Sequence, residues 1–195
     1  SQKAGHATLP EFGTDPCRSI FKRVQATFHP ELTDNGAVTV NRLGDEFLAM
    51  TETPMPVQFD PRTLETLAID HRAKAPGDIS AAHAHIDPGS GGMLGYALKV
   101  GPKSSYRFYT VGATGSAAVV ATAPAKPARY VHSFGVTDDH IVLLAGPLAL
   151  NMGKLVGSAL AKRSFLECLE WKPELGTEIL VFDRHSGELL REFET

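Results

Sequence analysis

Three segments of the chain repeat one local pattern, and that repeat restricts the architectures open to it. Phe59-Asp60-Pro61-Arg62-Thr63, Ile86-Asp87-Pro88-Gly89-Ser90 and Phe182-Asp183-Arg184-His185-Ser186 each place an apolar residue before Asp, then two variable residues and Ser or Thr; Leu67, Leu94 and Leu190 follow four positions later. An Asp side chain at the end of a strand accepts hydrogen bonds from its own backbone a couple of residues on, which turns the chain into the next strand. Each segment therefore reads as one antiparallel hairpin, and hairpins of this kind recur in radial β architectures. The later two copies lie about 96 residues apart, close to twice a blade period of roughly 40–50, whereas the first two are only about 27 apart. The repeat is imperfect and favours a propeller over a sandwich by a narrow margin.

The intervening stretches agree with an all-β chain. Val38–Leu43 alternates as a half-buried strand, Gly44-Asp45 turns it into Glu46–Met50, and Tyr96–Val100 and Tyr106–Val111 flank a Gly-Pro-rich hairpin loop. Ala117–Thr122 reads as a further strand, and the continuous apolar run His140–Ala145 as a strand buried on both faces. Near the start, Asp15 as N-cap and Pro16 at the first helical position open a short helix running to Val24. Pro147–Leu169 is the one long segment with helical character, broken by Gly153 and Gly157 and followed by Lys162-Arg163. It reads either as a loop or short helix packed on a core, or, through residues 147–160, as a patch that touches a membrane surface beside its cations.

Composition excludes several classes. The 195 residues are 43% hydrophobic and 21% charged, as in ordinary globular proteins. A net charge of −3 and the lack of a basic run interleaved with aromatics argue against a nucleic-acid partner. No apolar run is long enough to span a bilayer. Cys17 and Cys168, far apart, fit buried thiols in a reducing compartment rather than a disulfide framework. The expected location is the cytoplasm, peripheral to a membrane if the 147–160 patch binds one. There is no G-x-S-x-G elbow, Walker glycine loop or Cys-x-x-Cys pair.

The chemistry-bearing residues are histidines. His83 and His85 stand two apart, so on a strand they face the same side and either could ligate a metal. His132, in Tyr130-Val131-His132-Ser133-Phe134-Gly135, lies about one blade repeat further along, roughly 40–50 residues. Glu52, in Thr51-Glu52-Thr53, is by itself either a solvated strand-end charge or a carboxylate behind a ligand. His6, His29, His71, His140 and His185 receive no role.

The runs Ala82-His83-Ala84-His85-Ile86-Asp87, Tyr130-Val131-His132-Ser133-Phe134-Gly135 and Ala49-Met50-Thr51-Glu52-Thr53-Pro54 together resemble the carotenoid cleavage oxygenases in order and spacing. Gly13-Thr14-Asp15-Pro16-Cys17-Arg18 and Trp171-Lys172-Pro173-Glu174-Leu175-Gly176-Thr177 match the family's style, so the resemblance spans nearly the whole chain. It implies part of a seven-bladed β-propeller carrying Fe(2+) on its axis, bound by four histidines and backed by glutamates. Carried over position by position, His83 and His132 are metal ligands, Glu52 supports His132, and His85 steadies the loop or lines the cavity. No catalytic group beyond the metal site is implied. The family usually has proline where this chain has Ala84, which relaxes the loop without removing a ligand atom. The third family ligand falls in a Phe-His-His-x-x-Asn-like segment beyond a stretch resembling Arg191–Glu194. Residues 1–195 are thus expected to form a single domain, a partial propeller incomplete at both ends.

The implied activity is an iron(II)-dependent oxygenase that cleaves a carbon–carbon double bond of a carotenoid or apocarotenoid with O2, giving aldehyde or ketone products. The competing reading is a non-catalytic fragment or degenerate paralogue, a polyene-binding or scaffold module. Which polyene, which bond, and whether the subtype is cleavage or isomerisation lie beyond the sequence.

Overall fold

The computed structural model describes residues 39–87, 91–112, 115–161 and 166–195. The helix expected over Asp15–Val24, Cys17 and the centre of the middle Asp turn lie outside these residues. The described chain is almost entirely antiparallel β, as the hairpin repeat implies.

Three sheets follow one another in chain order. The first is a meander of β1 (Thr39–Leu43), β2 (Glu46–Met50), β3 (Val57–Phe59) and β4 (Thr66–Ile69). The second contains β5 (Ile79–Ser80), β6 (His85–Ile86), β7 (Met93–Lys99), β8 (Ser105–Val111) and β9 (Ala118–Pro124), with β5 and β6 both paired to β7. The third is β10 (Gly135–Val136), β11 (His140–Ala145), β14 (Glu178–Asp183) and β15 (Leu189–Glu194), in that spatial order. Between β11 and β14 the chain makes a two-stranded ribbon, β12 (Leu148–Leu150) with β13 (Leu169–Trp171), enclosing the helix α1 (Met152–Ala161).

The three Asp turns share one geometry. In each, the Asp N–H donates to the carbonyl five residues on, and the N–H of the residue four positions on returns a bond to the Asp carbonyl, all at 2.8–2.9 Å. That fourth residue has positive φ in every copy: Leu64 at 59°, Gly91 at 65° and Gly187 at 75°. The side chains of Asp60 and Asp183 accept the backbone N–H groups two and three residues on at 2.6–3.0 Å, and those bonds hold both carboxyls below their usual range.

The second sheet is the middle layer. Along β7, Leu94, Tyr96 and Leu98 face the third sheet, packing with Phe108, Phe134, Ile141, Leu143 and Phe182. Met93, Ala97, Tyr109 and Val111 face the first sheet, against Leu43, Leu48 and Met50. Phe108 joins the layers, with ring centroids 5.6 Å from Tyr96 and 5.2 Å from both Phe134 and Phe182. Burying each such ring contributes about 1.5–3 kcal/mol. Gly95 lies opposite Tyr109, whose ring occupies the space a Cβ at 95 would fill.

This corrects one expectation. β11 is not buried on both faces: Ile141, Leu143 and Ala145 are buried, while Leu144 is 53% exposed. A continuous apolar run carries no periodicity to distinguish the two cases, and the doubly covered strands are β7 and β8. The described residues of Pro147–Leu169 form β12, α1, a 3-10 turn at Leu166–Cys168 and the start of β13. Asn151 Oδ1 accepts the N–H of Lys154 at 2.9 Å and caps α1, Val156 on that helix is 76% exposed, and Cys168 is fully buried.

Candidate metal centre

Each expected ligand sits where strand pairing fails locally. Between the pairs Ser80↔Ala97 and His85↔Leu94, the β5–β6 side carries two more residues than β7, so 81–84 bulge away from the sheet and His83 rides on the bulge. Bulges of this sort re-aim side chains beside active sites. The bulge is tied down by the Thr39 hydroxyl, which donates to the Ala82 carbonyl at 2.6 Å, and by the Ala81 N–H on the Tyr96 carbonyl at 3.1 Å. His132 precedes β10, on a segment braced by reciprocal backbone bonds between residues 128–130 and β12. Buried Arg129 donates to the Ala145 and Gly176 carbonyls at 3.1 and 3.2 Å, anchoring the same segment. Glu52 follows β2 and is held by its carbonyl, which accepts the Ser80 N–H at 2.9 Å.

These three loops bring His83, His132 and Glu52 together. The Nε2 atoms of the two imidazoles are 3.1 Å apart, and the rings meet edge to face with centroids at 4.8 Å. On the far side of His132, Nδ1 lies 2.8 Å from Oε1 of Glu52. A carboxylate accepts, so Nδ1 carries the proton and the neutral ring keeps its lone pair on Nε2. Two nitrogen donors at about 2.1 Å from one divalent ion and at right angles lie about 3 Å apart, which is the spacing found. The donor set therefore fits a metal that favours imidazole. Among the described residues no group of three or more His, Cys, Asp or Glu is gathered for a metal.

His85 is not directed at that point. Its Nε2 lies 2.9 Å from the Phe134 carbonyl, which can only accept, so Nε2 is protonated and has no lone pair to offer. Residue spacing alone left both histidines of the pair open as ligands, and the family resemblance chose His83; the structure points only His83 toward His132.

Tyr130 was missed. Its hydroxyl donates to the Oε1 of Glu52 that receives His132 and lies 3.0 Å from His132 Nδ1. Burial first, then the hydrogen bond to Glu52 and that group's charge, pushes the phenol well above its ordinary range, so it remains a donor at neutral pH. A tyrosine beside an apolar residue in a strand-like run carries no metal-motif signal. Its place two residues before His132, on the same side of an extended segment, was the available clue.

The whole chain, residues 1–195, matches the family model described as retinal pigment epithelial membrane protein. This chain belongs to the carotenoid cleavage oxygenase family. It is 31% identical to the carotenoid isomerooxygenase of Drosophila melanogaster, over all of this chain and 34% of that protein. It is 31% identical to the mitochondrial carotenoid-cleaving dioxygenase of Macaca fascicularis, over 93% of this chain and 36% of that protein. The chain thus spans about a third of the length of these relatives. A variant of the Synechocystis apocarotenoid oxygenase superposes with a TM-score of 0.72 at 22% identity, covering all of this chain and 41% of that one. The lignostilbene dioxygenase of Pseudomonas brassicacearum gives 0.69 at 22% identity, covering 83% and 33%. The three sheets are accordingly part of the propeller-type fold that solved carotenoid oxygenases share.

Proposed function

We propose that the protein containing this chain is a non-haem iron(II) oxygenase that cleaves a carbon–carbon double bond of a carotenoid or apocarotenoid with O2, giving aldehyde or ketone products. The observation that carries this reading is the convergence of the His83 and His132 Nε2 atoms at 3.1 Å, with Nδ1 of His132 held by Glu52. The names of the relatives supply the substrate class.

In this reading His83 and His132 hold the iron, and Glu52 fixes the tautomer and orientation of His132 and raises its basicity. Bound ferrous iron supplies the reducing centre that O2 needs before it can react with a closed-shell polyene. Tyr130 keeps Glu52 turned toward His132. The bulge at 81–84 and the Arg129 anchor keep the two imidazoles facing each other across sheets that are otherwise joined by apolar packing.

Residues 147–160 and their partner strand give the protein a candidate route to a lipid-dissolved substrate. Val156 and Trp171, 76% and 68% exposed, lie close in sequence to Lys154 and Lys172, whose ammonium groups both reach Glu170. Among the described residues no helix is long and apolar enough to cross a membrane, so any contact made through this helix is peripheral.

The test is iron content after anaerobic loading with Fe(II), measured on the longest natural protein that contains these residues, followed by turnover of an apocarotenoid. About one equivalent of iron, lost on His83→Ala or His132→Ala together with aldehyde formation, is the expected result. No iron uptake, with polyene binding retained, overturns the oxygenase and leaves a non-catalytic polyene-binding module.

A further inference from the structure

We propose that His85 is a positioning residue that sets the spacing of the two metal-facing imidazoles, an inference that rests on the metal reading of His83 and His132. The two segments run side by side with a constant offset: His83 meets His132, and His85 meets Phe134, each across 49 residues of sequence. They belong to different sheets, His85 opening β6 of the second and Phe134 leading into β10 of the third. The first of these contacts is between the imidazoles themselves, and it gives way when a metal takes their lone pairs. The bond from His85 Nε2–H to the Phe134 carbonyl survives that change.

Both ends of this strut are fixed. His85 pairs with Leu94 in the β7 ladder, whose side chain is buried in the core. Phe134 is 5% exposed, with ring centroids 5.2 Å from Phe108 and 6.3 Å from Tyr96, so its carbonyl cannot drift without unpacking the core. The His85 and Phe134 rings also meet edge to face at 4.8 Å, which holds the imidazole in the orientation the bond requires. The bulge is tied to its neighbours ahead of His83, at Ala81 and Ala82, and with alanine at 84 no proline stiffens the side beyond, so a swing of His83 is checked from one side only. The cross-sheet bond two residues away restricts that swing.

Two substitutions separate positioning from packing. His85→Phe keeps an aromatic ring against Phe134 but has no donor; His85→Gln loses the ring but carries an amide donor of similar reach. The probe is Co(II), titrated into the metal-free full-length protein and followed by its visible absorption, beside crystal structures of the metal-free variants. His85→Phe is expected to weaken Co(II) binding about 10-fold, the upper end for the loss of one neutral hydrogen bond, and to widen the 3.1 Å separation of the His83 and His132 Nε2 atoms. His85→Gln is expected to restore affinity to within a few-fold and to keep the separation. Cobalt affinity in His85→Phe equal to the parent's, or an unchanged Nε2 separation in its crystal structure, overturns the proposal. So does a folded His85→Gln protein that binds as poorly as His85→Phe. Failure of the parent protein to bind Co(II) overturns the metal reading instead, and the separations then decide whether His85 holds the two loops in register.

Discussion

Replacing Glu52 with Gln tests the candidate centre at its most specific contact. Oε1 of Glu52 accepts from both His132 Nδ1 and the Tyr130 hydroxyl, and the side chain is only 14% exposed. A bond to a charged acceptor contributes about 1.5–3 kcal/mol and a neutral one about 0.5–1.5, so Glu52→Gln costs about 1–1.5 kcal/mol per bond. Only the bond to His132 is coupled to the metal, and that ring is 56% exposed, which places the loss near the lower figure. About 1 kcal/mol corresponds to roughly fivefold in affinity. Anaerobic Co(II) titration of the full-length protein should therefore show binding weakened about five- to tenfold. The Tyr130 bond enters only the stability, lowering the melting midpoint by about 2–4 °C for each kcal/mol lost in a chain of this size. Affinity unchanged within twofold would refute the claim that Glu52 acts through His132. A loss above about 100-fold with an unchanged melting midpoint would refute it from the other side, because Glu52 would then be a ligand itself.

Three further perturbations probe the frame around the site. Asp70 is buried, which pushes its carboxyl up, but the Arg72 side chain and the N–H groups of Arg72 and Ala73 outweigh that and hold it below the usual range. Its stabilising contribution is present above the unfolded value of about 3.9 and is lost as pH falls through the lower folded value. Arg72→Met should thus cost about 2 kcal/mol at pH 7, with a gap from the parent in urea melts that closes in acid; a gap independent of pH would contradict this. Glu178 is shifted upward by burial, with Glu192 and Glu194 adding and Arg129 opposing. Charging it therefore costs stability as pH rises past its unfolded value, and Glu178→Gln should raise the melting midpoint at pH 7 and leave it unchanged near pH 4. Gly95→Ala places a Cβ 2.6 Å from the Tyr109 hydroxyl oxygen, on a ring that is fully buried, and should cost about 1–3 kcal/mol by overpacking. An unchanged midpoint would mean that the ring has room to move.

What the sequence disclosed was local. The Asp turns were legible because their hydrogen bonds form within five residues, and the same is true of the strands at 39–50 and 93–111. His140–Ala145 was misread because an unbroken apolar run has no period, and which face is covered depends on a sheet contributed by distant residues. The start of α1 carried a signal in Asn151, a capping residue, that the glycines at 153 and 157 obscured. At the centre, the family's motif nominated His83, His132 and Glu52 and gave His85 a place in the loop or the cavity, while the contacts of Tyr130 with Glu52 and of His85 with Phe134 had no sequence signal. Those depend on partners 78 and 49 residues away in sequence, and no local pattern announces such contacts.

Phe134 belongs at once to the core and to the candidate centre. Its ring is packed among Phe108, Tyr96 and His85, and its carbonyl receives the bond that joins the two histidine loops. The loops therefore have no independent way to melt. Heating cannot loosen the imidazoles first and the sheets later, since opening the loops means withdrawing an aromatic ring from between two layers. Loss of the spacing between the two imidazoles and melting of the second and third sheets are therefore expected to coincide in one thermal transition.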